Sequence, residues 1–476
     1  MIMSRHAKYR SPRIRVFVWL FVLTAAGFAI GAPANRVPTG YVAGVRQAWV
    51  AEYTGVFDDE PTAMAVDDSG NVYVTGYSGA PDYYFYVTVK YDTFGHEEWV
   101  ATYSQPNGIG AAAAIALDRS GNVYVTGGMG TFAVGNSDYV TVKYNSSGQQ
   151  QWVARYNGPG NSNDRATAIA VDVSGNVYVT GASGDSFADY ATIKYDSSGQ
   201  QLWVVRYNGP GNARDNAVAI AVDTSGNVYV TGSSAGSGTG TDYATIKYDN
   251  SGQQQWVARY NGPGTGGNQP AGMAIDGSGN VYVTGTSWGS RGISISQYAT
   301  IKYNNSGEQL WVAVYDGPGN GSSATAIRID DSGNVYVTGE SLGLDSISDY
   351  ATIKYNSAGQ QQWVSRYHPP ENLGATATAI AVNRSGDIYV TGTSWISSGA
   401  DYATIKYNSA GQEQWVARYD GPQGFEDYAT VLGLDRSGNI YVTGASHQDA
   451  VQYDWDFATI KYTPDRTPRP HPRPSP

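Results

Sequence analysis

Through most of the chain, runs of five or six apolar, aromatic and β-branched residues alternate with clusters of Gly, Asn, Ser and Asp. In one stretch the runs read QWVARY (151–156), AIAVD (168–172), NVYVTG (176–181) and YATIKY (190–195). Runs of this length, rich in Val, Ile, Thr, Tyr and Trp and bounded by turn formers, predict β-strands. No stretch of the body carries the spacing of an amphipathic helix, so the chain reads as all-β. Residues 172–175 and 196–200 are tight connections that each offer a Gly for a positive φ, and they predict hairpins. The two remaining connections of the stretch differ from those elsewhere in length and composition, as 182–188 differs from 233–241.

The pattern recurs. Trp49, Trp99, Trp152, Trp203, Trp256, Trp311, Trp363 and Trp415 each open a WV segment, 50 to 55 residues apart. A period of this size indicates a solenoid or a propeller. Four antiparallel strands per unit, with no edge protection of their own, fit propeller blades better than a sandwich. A residue found in every unit solves a problem that every blade has. Trp152, Tyr156, Tyr178 and Tyr195 are therefore assigned to packing between blades. Lys194, with counterparts Lys90, Lys143, Lys247, Lys302, Lys354, Lys406 and Lys461, is assigned to inter-blade ion pairs or to a snorkelling stem, and Arg155 likewise. Asp172 and its counterparts, Asp67, Asp118, Asp223, Asp276, Asp330 and Asp435, sit where a carboxylate accepts turn N–H groups.

The segment SGNVYVTG (174–181), preceded by AIAVD, resembles the bacterial β-propeller repeat family (SBBP) and is similar to the NHL repeat. The resemblance covers Trp49 to Tyr462. It implies that the AIAVD-like strand is the innermost of each blade and the Trp strand the outermost. With that order the chain opens on an outer strand and ends on a third strand at 456–462. The first strand is then expected to complete the last blade, which removes an open sheet edge. The expected fold is a single all-β propeller of eight four-stranded blades over 47–462, one blade more than the family's usual seven. The family implies a surface-protein module.

Composition narrows the setting. The chain has 476 residues, no Cys, and a formal charge of −11. Arg5, Lys8, Arg10, Arg13 and Arg15 crowd the first fifteen positions, so the body is more acidic than the whole. An acidic body repels phosphate backbones, and neither nucleic acid nor an anionic membrane is expected as a partner. The basic opening is followed by the apolar run 16–32 and by Ala32-Pro33-Ala34, the layout of a secretory signal. Cleavage after Ala34 is expected, the alternative being an uncleaved anchor. Residues 35–46 form a short lead-in. The body is expected to be secreted, periplasmic or on the cell surface, and monomeric. Residues 463–476 (TPDRTPRPHPRPSP) should be an extended Pro-rich tail.

Antiparallel blades place the two tight hairpins on one face and both variable connections on the other, where binding residues collect. Three features there depart from the repeat. Asp59, Asp164, Asp215 and Asp427 lie eight residues before the turn Asp in four units. They are calcium candidates, or they cap the chain as it enters the inner strand. Trp288, Trp395 and Trp455 stand outside the repeat position and suit stacking on sugars or peptides. His447 and Asp454 accompany Trp455, with Asp449 and Asp456 nearby, and His368 and Glu371 lie in the preceding junction. No HExxH, GxSxG or EF-hand pattern is present, and no catalytic residue is assigned. The expected function is a binding or scaffold module for a carbohydrate or protein ligand, with no cofactor beyond calcium. The alternative is an extracellular polysaccharide-active hydrolase or lyase on the same face. The two differ in one respect: an enzyme gathers its departures from the repeat round one pocket, and a scaffold spreads them.

Overall fold

The computed structural model describes residues 41–465 except 43, 56–57, 81–82, 107, 132–135, 239, 265, 290–294 and 448–454. The expected signal, most of the lead-in and nearly all of the Pro-rich tail lie outside the described residues, as do Asp449 and Asp454. Among the described residues every regular element is a strand. Eight antiparallel sheets succeed one another, and each runs a, b, c, d from inner to outer strand. Blade 3 is representative, with a Asp164–Val171, b Val177–Ser183, c Asp189–Tyr195 and d Gln201–Tyr207. The inner strands of blades 1 and 8 pack against each other, which closes the ring.

Blade 8 takes a, b and c from Asp427–Leu434, Ile440–His447 and Trp455–Pro464. Its outer strand is Val45–Tyr53 from the beginning of the chain, paired antiparallel from Val45↔Pro464 to Tyr53↔Phe457. Tyr41–Val42 adds a short fifth strand outside it, which the repeat does not predict.

Inner strands start earlier than their apolar runs suggest. The run at 168–172 belongs to a strand that begins at Asp164 and passes a bulge between Ala166 and Ala168, opposite Gly181. The Gly of VTG lets the two backbones approach there, because a Cβ on Gly181 would lie 2.1 Å from the Arg165 carbonyl oxygen. Beside it a buried pair of Thr hydroxyls, Thr180 and Thr192, lies 2.9 Å apart across strands b and c. The pair recurs in every blade, for example Thr75 with Thr88 and Thr443 with Thr459.

Contacts between blades repeat as well. The Trp152 indole N–H donates to the Ser197 carbonyl of the next blade at 3.1 Å, and the Thr167 hydroxyl donates to the Ala217 carbonyl at 2.8 Å. The recurring Lys is mainly a cation over an aromatic ring. Lys194 Nζ stands 5.1 Å from the centre of the cross-strand Tyr178 ring and donates to the Asn250 carbonyl of the next blade. Lys90 and Lys406 also meet carboxylates, those of Glu98 and Asp387. The turn aspartates act as expected. Asp172 accepts the N–H groups of Ser174 and Asn176, the Asn176 amide and the Tyr178 hydroxyl. Burial alone would raise its pKa, and these bonds outweigh that and hold it low.

Candidate functional site

Both hairpins of each blade open on one face, so the b–c and d–a connections share the other. The last residues of strand b carry the clearest asymmetry of the ring. One position after the Ser column, blades 1 to 4 have Gly79, Gly130, Gly184 and Ala235. Blades 5 to 8 have Trp288, Leu342, Trp395 and His447. Half of the face is therefore low and the other half built up. Trp395 packs over Gly374 and its backbone N–H donates to the Gly374 carbonyl at 2.9 Å, while Trp288 lies against Gly266.

In blade 8 the build-up becomes a cluster. His447 pairs across the sheet with Trp455, their ring centres 4.8 Å apart and the planes inclined by 34°. Phe425 meets His447 at 5.5 Å and Tyr428 meets Trp455 at 5.4 Å. All four rings are half-buried, each with one part packed and one part open to solvent. Neighbouring blade 1 has its own aromatic hairpin, with Tyr77 against Tyr84 at 5.0 Å and Tyr83 against Phe85 at 5.7 Å. Of the sequence candidates, His447 and Trp455 are thus brought together, whereas Trp288 and Trp395 stand in blades 5 and 7.

Asp164, Asp215 and Asp427 are the first residues of their inner strands and Asp59 the second of its own, each in a different blade, and all four are almost completely buried. Each accepts a backbone N–H from the loop before it. Gly158 donates to Asp164 at 2.6 Å, Gly209 to Asp215 at 2.7 Å, Gly421 to Asp427 at 2.6 Å, and Gly55 to Asp59. Among the described residues only Asp427 joins other carboxylates, Asp401 and Asp420.

A second network follows the recurring Arg. Arg259 bonds Asp242 and Ser234 of its own blade and the Tyr207 hydroxyl of the preceding one. Arg206, Arg366 and Arg418 repeat this arrangement. Where the Arg is lost its Asp is generally lost too, as with Val314 and Gln297 in blade 5 and Thr102 and Phe85 in blade 1. Blade 8 breaks the rule, keeping Asp456 while the Arg position holds Glu52. Burial raises the Glu52 pKa. Burial, followed by the charges of Asp420 and Asp401, pushes Asp427 up to about 7 against the bonds from Ser446 and Gly421. Phe425, Tyr428, Asp401, Asp420 and Glu52 escaped the reading of the sequence. A column-by-column comparison of the eight units would have exposed Glu52 and Asp420.

At the rim, Arg366, Tyr367, His368, Glu413 and Arg418 line a cleft between the outer strands of blades 6 and 7. His368 Nδ1 lies 2.7 Å from Asp349 Oδ1 and Nε2 lies 2.5 Å from Asn372 Oδ1, while Arg366 holds the other Asp349 oxygen at 2.8 Å. Two acceptors favour the imidazolium, so the bonds to Asp349 and then Asn372 raise the His368 pKa. Its stabilising contribution is complete below the unfolded value of about 6.5 and fades as pH rises through the folded value. We expect the ring of His368 to titrate above 6.5 by NMR, and the thermal midpoint of His368→Gln to fall less than wild type between pH 6 and 9. Equal slopes would show that the ring does not couple to folding.

The beta-propeller repeat family matches residues 48–83, 204–238 and 255–291. An uncharacterized WD repeat-containing protein of Acanthamoeba polyphaga mimivirus is 24% identical over 466 residues, covering 78% of this chain and 32% of that protein. The regulatory protein FlaEY of Caulobacter vibrioides is 32% identical over 117 residues, 21% of this chain and 12% of its own. The chain thus spans about a third or less of these relatives. Among solved structures, Sqt1 from Chaetomium thermophilum is similar at a TM-score of 0.55 and 10% identity, over 87% of this chain and 99% of that one. Polysaccharide lyase Uly1 is similar at 0.46 and 11%, over 89% and 94%. These likenesses concern the fold alone.

Proposed function

We propose that this propeller is an exported binding module that takes a carbohydrate ligand on the built-up half of its variable-loop face. The observation that carries this reading is the ring cluster of Phe425, Tyr428, His447 and Trp455, continued by Trp395, Leu342 and Trp288 round blades 7 to 5. Partly open aromatic rings offer sugar C–H faces a flat apolar surface, and the surrounding polar loop groups suit hydroxyls. Secretion or surface display is supported by the basic and apolar opening of the chain. The acidic body fits a neutral or cationic ligand better than a polyanion.

A second reading, a polysaccharide-active enzyme, is favoured by one observation. The departures from the repeat gather at blades 7 and 8, where Asp401, Asp420 and Asp427 come together next to the rings. Paired carboxylates of this kind are the equipment of glycoside hydrolysis.

A polysaccharide array on the purified chain, read for retention and for release of reducing ends, separates the two. Retention without release is expected. Trp455→Ala combined with His447→Ala should weaken it about tenfold or more and leave the fold intact by circular dichroism. Release of ends would bring the enzyme reading forward. Retention that survives the double substitution would move the site elsewhere.

A further inference from the structure

The inner strands surround an axial channel. In blades 1 to 4 every inner-strand residue beyond the bulge is part-exposed although it stands at the centre of the ring, so water reaches it along the axis. Beyond the bulges the wall is apolar except at one point. Two positions before the column of turn aspartates, six blades carry Ala, from Ala65 to Ala381, and blade 8 carries Gly433. Blade 6 carries Arg328.

The ladder of blade 6 places the guanidinium. Arg328 pairs with Tyr336, two steps from Asp330, whose N–H donates to the Asn334 carbonyl at 3.0 Å. Hydrogen-bonded and open pairs alternate along an antiparallel ladder, so Ile327, one step from Arg328, turns its carbonyl away from strand b and toward the axis. Arg328 Nη1 donates to that carbonyl at 2.8 Å. The side chain is exposed, and the solvent it meets is therefore that of the channel.

No carboxylate answers this charge among the described residues. Arg155, Arg206, Arg259, Arg366 and Arg418 of the outer strands each meet an Asp. Asp330, two residues from Arg328, spends its carboxylate on the N–H groups of Ser332 and Asn334, the Asn334 amide and the Tyr336 hydroxyl. Blade 7 adds no acid there, because Asn383 stands in its turn where the other seven blades have Asp, and its Asp387 is held by Lys406 at 2.9 Å. Surrounding protein lowers the Arg328 pKa, with no opposing charge to restore it. The seven Ala and Gly of this column show that the fold needs no more than a methyl at the position. A guanidinium set among apolar walls is unfavourable unless an anion joins it.

We propose that Arg328 holds the carboxylate of a small organic monoanion in the axial channel. One cation balances one negative charge. The guanidinium fork offers parallel N–H groups that a carboxylate accepts in pairs. The Ala and Ile walls receive an aliphatic remainder and disfavour a strongly hydrated ion such as phosphate. Arg328 lies near the hairpin end of the channel, whereas the ring cluster lies on the variable-loop face, so the proposal goes beyond the carbohydrate reading and does not depend on it.

The test is a titration of the purified chain with sodium butyrate, followed by saturation-transfer NMR of the butyrate methyl and by the thermal midpoint, with sodium chloride at equal ionic strength as the reference. Transfer to the methyl and a midpoint above that in chloride are expected. Arg328→Ala, which installs the residue that six other blades carry, should weaken binding about tenfold or more. In chloride alone it should melt at or above the wild-type temperature, since an unanswered charge is gone. No response of the wild type at tens of millimolar butyrate, or an equal response of Arg328→Ala, would overturn the site. An Arg328-dependent response to inorganic phosphate as strong as that to butyrate would overturn the carboxylate assignment. A lower midpoint of Arg328→Ala in chloride would show that the side chain serves packing instead.

Discussion

Without residues 41–53 the protein is expected to lose its cooperative melt near the wild-type midpoint and to elute as mixed oligomers. The deletion removes the outer strand of blade 8. Val45 at 1% exposure and Trp49 and Ala51 at 7% are buried against the seam, and the Trp49 indole N–H donates to the Thr93 carbonyl at 3.1 Å. Replacing Trp49 alone by Ala should cost about 3–5 kcal/mol. Loss of the whole strand adds the ladder from Val45↔Pro464 to Tyr53↔Phe457. A large part of the usual 5–15 kcal/mol of a folded protein is then gone. The strand Trp455–Pro464 becomes an open edge of Phe, Ala, Ile and Tyr that pairs with other chains. Scanning calorimetry and light scattering after size exclusion check both effects, with Trp49→Ala expected between wild type and the deletion. A deletion variant that melts like wild type as a monomer would mean that closure contributes nothing to stability.

The second large effect is expected at the Gly of VTG. A Cβ on Gly339 would lie 2.1 Å from the Ser323 carbonyl oxygen and 2.8 Å from the Ala324 Cα, both backbone atoms of the paired inner strand. No side chain can swing aside to make room. Gly339→Ala should therefore cost about 3 kcal/mol or more, at the top of the range for overpacked cores. Gly277, in an a–b turn, has open space for 4 Å around the place a Cβ would take, and its φ is not left-handed. Gly277→Ala is expected to be neutral or to stabilise by about 0.4–1 kcal/mol. Urea titration of the two variants separates steric need from mere recurrence. Similar costs at both positions would mean that the bulge tolerates a methyl.

How much of this was legible in the chain depended on whether a feature was repeated. The strands, the hairpins and the packing role of the Trp and Tyr columns could be read because eight copies of the unit show which positions are held. The turn role of Asp172 was readable for a local reason, since all its partners lie within six residues. The Lys column was read less well. Its ring partner lies across the sheet and its carbonyl partner one blade away, and neither contact leaves a trace in the spacing of residues. The start of the inner strands at Asp164 and its equivalents was also missed, because a bulge interrupts the run of apolar residues just where the strand begins.

The site divides in the same way. His447 and Trp455 were visible as departures from the repeat, and their contact was implicit in one hairpin. Phe425 and Tyr428 join them only because the loop before the inner strand folds back over that hairpin. The meeting of Asp401, Asp420 and Asp427 is wholly tertiary, since Asp401 and Asp420 belong to blade 7 and Asp427 to blade 8. The amino-acid sequence by itself determined the blade and the number of blades, because these follow from local strand and turn chemistry repeated at a fixed period, while closure by the first strand followed from the strand order that the family resemblance implies. Only the tertiary structure decided where aromatic rings and carboxylates of different blades converge, because the angle between blades brings residues tens of positions apart into contact.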